Sequence, residues 1–486
     1  METLPLIILQ QIVNELNDNI DLNGLYILSS FKCIANQSLN AIRTPWFDKP
    51  QLPNGLPPHT SISFGPNFIE QITPGSLPRS LVQITLGENW DHPLVPGVLP
   101  PYLHTLTLGY QFNQLIDRDH LPDSLTRLRL GDHYRQPLLV DGLPNSLREL
   151  HLGRDFNHQI QPGWLPASLI KLTMSWGYSH KVLDESLPKS LQELIFGDEY
   201  NVMIDPFVLP RNLITLTLSK SYNQHLLSRT LPPSLLHLTF GLMFNCPIEL
   251  GFMPRTLTHL TFGRQFSHPI TEDMLPATLQ YLAFGQHFNH DISGILPKSL
   301  LSLEFIYSYY DRPLVSGSLP ETLTTLKLSV RYNHAIPHGM LPNSLVHLEF
   351  GQMFNKTLAP GVIPQSVKYL QFGNNYSAPL ETATMPLSLT KLTIPSKYLF
   401  NLSLSKFNLK TLSVSCPPTD TRNIRSAKIV YHPTVQTYIV NNRIYLRCLD
   451  TEYTLVLLGE TLEGNIHKTK ELFLSLPTSP NTLDQI

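Results

Sequence analysis

The chain has 486 residues, a formal net charge of −2 and 15% charged residues, so it carries no field to draw in nucleic acid or an anionic membrane. Its four cysteines, Cys33, Cys246, Cys416 and Cys448, lack zinc-type spacing and are expected as reduced thiols. No basic-then-apolar leader opens the chain, and no apolar run approaches the ~18 residues of a membrane span. An intracellular protein, cytoplasmic or nuclear, is therefore expected.

Residues 1–50 are predicted to form a small helical module. Ile8, Leu9, Ile12, Val13 and Leu16 follow the i, i+1, i+4, i+5, i+8 spacing of an amphipathic helix, and Leu22, Leu25, Leu28 and Phe31 mark a second helical stretch. Leu4-Pro5, then Asp21-Leu22 and Ser29-Ser30-Phe31-Lys32-Cys33, is similar to an F-box. The similarity departs at Ile7, where that family carries an acidic residue, and at Lys32-Cys33, which reverses its usual order. What it implies is docking of a Skp1-type adaptor of cullin ubiquitin ligases, with Leu4, Pro5, Ile8, Leu9 and Ile12 carrying the contact. The residues also support a plainer reading, a helical cap over an exposed first strand.

From Leu56-Pro57 to Met385-Pro386 a Leu-Pro pair returns about every 22 residues, the mark of a solenoid. The spacing wavers once, at Leu296-Pro297 and Leu319-Pro320. In one unit, Leu147, Leu150 and Leu152 form an L-x-x-L-x-L run whose second half alternates apolar and polar, as a half-buried strand does. Pro144 sits outside the strand, where its missing N–H breaks no ladder bond. Gly153 follows it, and a glycine tolerating positive φ is expected at that turn. No unit can bury its apolar side alone, so about 15 units over residues 52–394 should stack around one core with one parallel sheet of short strands.

An aromatic follows each strand: Trp90, Phe112, Tyr134, Phe156, Tyr178, Tyr200, Tyr222, Phe244, Phe266, Phe288, Tyr332, Phe354 and Tyr376. These are expected as a core column, with the Asn that often comes next satisfying backbone groups of its own turn. Phe156-Asn157-His158-Gln159-Ile160 and Phe288-Asn289-His290-Asp291-Ile292, each followed by Leu-Pro, resemble the FNIP repeat, a relative of leucine-rich repeats. The resemblance implies a leucine-rich-repeat-like solenoid. Because FNIP arrays often carry an F-box, the resemblance also favours the adaptor-docking reading of residues 1–50.

Residues 395–486 leave the period and are predicted as a β-rich C-terminal cap. Leu409–Val414 is a last echo of the repeat, Thr437–Leu446 alternates around Asn441-Asn442 like a hairpin, and Tyr453–Leu458 reads as a further strand.

No G-x-x-x-x-G-K-[ST], H-E-x-x-H, G-x-S-x-G or C-x-x-C occurs, and no enzyme activity, cofactor or metal is expected. His92, His158, His180, His268, His290 and His334 share one repeat position, which Gln114, Gln136 and Gln224 also occupy; a polar turn slot explains them better than ligation. Strand residues flanking the middle leucine should face outward and vary from unit to unit. Arg127, Arg129, Glu149, His237, His259, Tyr281, His347 and Tyr369 are the candidate partner-binding face. Their mixed charge favours a protein partner over a polyanion. The chain is thus expected to act as a non-enzymatic recruiter, in the F-box reading a ubiquitin-ligase substrate receptor. The alternatives are a scaffold or decoy with a merely capping head and, from another class, a carbohydrate-binding or enzymatic surface along the sheet.

Overall fold

The computed structural model describes residues 46–47, 61–395, 398, 406–415, 435, 437–440, 444–448, 453–458 and 464–468. The expected N-terminal helical module, with Leu4, Pro5, Ile8, Leu9 and Ile12, lies outside the described residues. The chain forms a parallel β-solenoid of about 16 turns, with almost no helix among the described residues. It divides into two compact units. One holds residues 43–301 with 305–308, and the other holds 302–304 and residues from 309 onward. The division falls in the stretch where the Leu-Pro spacing wavers.

The first unit carries β1 (Trp46–Phe47), β2 (Ser61–Phe64), β3 (Gln83–Thr85), β4 (Thr105–Thr107), β5 (Arg127–Arg129) and β6 (Glu149–His151). It continues through β7 (Lys171–Thr173), β8 (Glu193–Ile195), β9 (Thr215–Thr217), β10 (His237–Thr239), β11 (His259–Thr261) and β12 (Tyr281–Phe284). Successive strands pair in parallel, leucine opposite leucine, as in Leu128↔Leu150↔Leu172. In the second unit, residues of β13 (Ser302–Phe305) pair with β14 (Thr325–Lys327), followed by β15 (His347–Glu349), β16 (Tyr369–Gln371), β17 (Lys391–Pro395), β18 (Thr411–Ser415) and β19 (Thr437–Val440). There the direction reverses. β19 and β20 (Ile444–Cys448) form the antiparallel pair expected around Asn441-Asn442, and β21 (Tyr453–Leu458) and β22 (Gly464–Lys468) extend it.

Every turn is built from the same contacts. After each Leu-Pro the proline carbonyl accepts from the N–H three residues on, as Pro144 does from Leu147 at 3.0 Å, closing a β-turn that aims the chain into its strand. The middle leucine of the strand, such as Leu150 or Leu172, is wholly buried. The aromatic column expected from the sequence is core: each of its residues is buried, and Phe68 and Tyr310 belong to it as well. In the first unit adjacent rings lie near-parallel, 6.2 Å apart at Phe112–Tyr134 and Tyr200–Tyr222 and 6.3 Å at Phe266–Phe288. This is the offset stacking that aromatic quadrupoles favour.

Two expectations are corrected by the stacking. Gly153 does not adopt positive φ; that conformation belongs to the opposite corner, at Gly163 (φ 85°) and its equivalents. Gly153 is required because a Cβ there would lie 1.7 Å from the carbonyl oxygen of Gly131 in the preceding turn. The column is therefore set by the approach of backbone to backbone. Serine replaces glycine at Ser175, Ser219 and Ser329, where the buried hydroxyl donates to the main-chain oxygen of the preceding turn's aromatic, Phe156, Tyr200 or Tyr310.

The second correction concerns asparagine. Its side chain does not serve its own turn but reaches the next one. Asn157 Oδ1 accepts from Ser179 N–H at 3.1 Å, and Asn201 Oδ1 accepts from Asn223 N–H at 2.9 Å. A second ladder passed unread in the sequence: the serine of the Leu-Pro-x-Ser-Leu motif. Ser146 Oγ donates to Leu125 O at 2.6 Å and Ser168 Oγ to Leu147 O at 2.7 Å. Polar side chains thus satisfy buried backbone groups that a three-residue strand leaves unpaired.

Candidate functional site

The outward side of the sheet is formed by the residues on either side of each buried strand leucine. Alternation along a strand places both on the same face, and parallel pairing in register puts equivalent residues side by side. Within the first unit, Arg127, Glu149, Lys171 and Glu193 stand in one row on β5–β8. Arg127 Nε lies 3.3 Å from Glu149 Oε2, and Lys171 Nζ lies 3.9 Å from Glu149 Oε1 and 3.1 Å from Glu193 Oε1. His151 adds a contact to Glu149 at 2.9 Å. Burial opposes ionisation of Glu149, but the His151 hydrogen bond and the charges of His151, Lys171 and Arg127 outweigh it, so its carboxyl is held below the usual range. Arg129, exposed beside His151, points the same way without an ion pair among the described residues.

On the next three turns the face changes character. Thr215, Thr217, Thr239 and Thr261 flank His237 and His259, and no charged residue stands on β9–β11. His237 and His259 meet edge to face with ring centroids 4.5 Å apart, and His259 stacks on Tyr281 at 5.7 Å. Burial, helped by the neighbouring His237, lowers the basicity of His259. In the second unit His347 lies 5.6 Å from Tyr369 and 2.7 Å from Glu349, and Lys327 lies 3.2 Å from Glu304. Burial opposes the ionisation of Glu349 too, yet His347, Lys327 and Lys391 hold it below its ordinary range.

The structure therefore brings Arg127 to Glu149, His237 to His259, His259 to Tyr281, and His347 to Tyr369. A further exposed aromatic, Trp176, sits just past β7 at the strand ends. The Arg154 guanidinium lies 4.7 Å from its ring and the Lys220 ammonium 5.5 Å. The signal for it in the sequence is a lone Trp in a column otherwise largely polar.

The shared histidine slot has one structural job. Nε2 of His158 meets Arg135 O at 2.7 Å, that of His180 meets Asn157 O at 2.9 Å, and that of His290 meets Ser267 O at 2.6 Å. Each imidazole donates back to a carbonyl of the preceding turn while its ring edge rests on its own turn's aromatic. Gln136 makes the same reach to Asn113 O at 3.1 Å, and the Cys246 thiol reaches Asn223 Oδ1 at 3.5 Å. The slot selects a donor of suitable length. Among the described residues no three His, Cys, Asp or Glu converge as a metal site, and no helix is long and apolar enough to cross a membrane.

The FNIP Repeat family model matches eight consecutive segments, residues 47–89, 90–133, 134–175, 178–221, 222–265, 266–308, 310–353 and 354–397. Among solved structures the chain is similar to CroV588, described as a novel circular LRR protein, at 34% identity and a TM-score of 0.65. The match covers 78% of this chain but 56% of that one, so this chain spans little more than half of the CroV588 length. A leucine-rich repeat protein from Bacteroides ovatus is also matched, at 13% identity over 78% of this chain and 84% of that one. Its TM-score of 0.18 is too low to bear on the fold. No curated protein matches.

Proposed function

From a chain that belongs to the FNIP repeat family, we propose a non-enzymatic interaction protein that recruits a protein partner through the outward face of its parallel sheet. One contrast carries the reading. The buried leucines hardly change from turn to turn, whereas the outward flanks change at almost every turn and, apart from Ala283 and Ser413, are exposed or half-buried. A stack that needs only its interior to fold leaves its outer columns free to be specified by a partner. Arg129, His237, His259 and Tyr281 in the first unit, and His347 and Tyr369 in the second, offer the aromatic and cationic side chains that dominate protein interfaces.

In the finer form of this proposal, residues 1–50 dock a Skp1-type adaptor inside the cell and the solenoid presents a target to a ubiquitin ligase. Leu4-Pro5 and the apolar stripe of Ile8, Leu9 and Ile12 support it. Affinity capture with the full chain tests both levels. A partner retained by the exposed-corner control Glu272→Lys but lost from Tyr281→Ala or Arg129→Glu supports recruitment through the face; a partner indifferent to all face variants refutes it. Loss of a Skp1-type adaptor from Leu9→Asp and Ile12→Asp, with the target still captured, supports the ligase form. Failure of the wild-type chain to bind any such adaptor removes it.

A further inference from the structure

The corner that leads into each Leu-Pro turn carries a residue with positive φ. Glycine holds that place at Gly163 and Gly251, and an acidic residue does at Asp141, Glu185 and Asp273. Two successive turns of the first unit depart from this. Phe207 (φ 71°) and Arg229 (φ 68°) stand there instead, in a backbone conformation that bulky side chains disfavour. The two are tied together: Phe207 N–H donates to Arg229 O at 3.3 Å, and the Arg229 guanidinium lies 5.7 Å from the Phe207 ring. Strain of this kind gathers at binding sites.

The same corner exposes apolar surface on three successive turns, with Phe207 59% exposed, Leu227 45% and Leu250 68%. Such a cluster rimmed by charge marks a contact surface, whereas apolar residues scattered singly do not. Its rim holds one unpaired cation and one unpaired anion. Asp205 is taken by Lys181 at 2.6 Å, but neither Arg229 nor Glu249, both exposed, has an ion pair among the described residues.

We infer that this corner is the interface of a symmetric homodimer, its occupant a second copy of the chain. A two-fold contact must be self-complementary: what one copy offers, the same surface of the other must match. Leu227-Ser228-Arg229 and Glu249-Leu250-Gly251 are the same three places in successive turns, about 22 residues apart. A two-fold axis between these turns therefore reverses their order. It sets Arg229 over the partner's Glu249 and Glu249 over the partner's Arg229. It also sets Leu227 over the partner's Gly251, beside the partner's Leu250, and a Cβ on Gly251 would meet nothing within 4 Å. A partner of one charge sign would leave Arg229 or Glu249 unmatched, whereas a second copy matches both. The corner is separate from the strand flanks read as the recruiting face, so its test stands apart from recruitment.

Sedimentation velocity of the full chain over a concentration series reads the interface. Wild type should sediment as a concentration-dependent dimer. Arg229→Glu sets carboxylate against carboxylate and should weaken the dimer at least about 10-fold, as should the reverse change Glu249→Arg, with circular dichroism unchanged. The double variant Arg229→Glu/Glu249→Arg restores opposite signs across the axis and should recover the dimer. A wild type that stays monomeric, a dimer indifferent to either reversal, or a double variant no better than the singles would overturn the inference. If a charge variant fails to fold, the exposed Leu250→Ser decides it: an undiminished dimer there would also overturn it.

Discussion

The side-chain oxygen of Asn223 lies 2.9 Å from the backbone nitrogen of Asn245, and the oxygen of Asn245 lies 3.0 Å from that of Ser267. Each link ties one turn of the solenoid to the next, and only an acceptor oxygen is needed. Asp91 serves Asn113 in the same way at 2.8 Å. Asn245→Asp should therefore stay close to wild-type stability. Asn245→Leu strips the Ser267 N–H of its partner and should cost about 1–3 kcal/mol. Urea unfolding of the two variants measures the difference, and equal losses would show that the oxygen is not what matters.

The glycine column makes a sharper demand. A methyl group at Gly153 would meet the Gly131 carbonyl at 1.7 Å, so the turns must separate to admit it. Gly153→Ala should destabilise by at least about 1–3 kcal/mol, the range for overpacked sites. Gly153→Ser should be the milder change although serine is larger. Its hydroxyl can find the carbonyl one turn back, as Ser175 finds that of Phe156. Thermal unfolding that ranks serine below alanine would contradict this account.

Tyrosines of the core column should report the fold at high pH. Burial pushes the Tyr134 phenol up to about 12. Burial together with neighbouring Tyr398 pushes that of Tyr376 up to about 12. An unfolded chain loses these protons near pH ~10. Above that the unfolded state binds fewer protons than the native one, so stability is intact below pH ~10 and falls as pH rises toward about 12. Ultraviolet absorbance should show the phenols of the column ionising in one step with the loss of circular dichroism. Ionisation of the column while the fold persists would argue against its burial.

Much of this architecture was legible in the spacing of residues, because a side chain buried in every turn must recur at the length of a turn. Leu147, Leu150, Leu152 and Phe156 announced the strand and the core column in this way, and the residues flanking Leu150 announced the outward face. Recurrence assigns a residue to a column but not an atom to its partner. An asparagine can bond within its own turn or to the next, a glycine can serve a positive φ or a close approach, and both leave the same periodic trace. Stacking in register chose between them: it carried Asn157 to Ser179, pressed Gly153 against Gly131, sent His158 back to Arg135, and set His237 beside His259. Those contacts join residues about one full turn apart, a distance along the chain at which only the packed solenoid makes them neighbours.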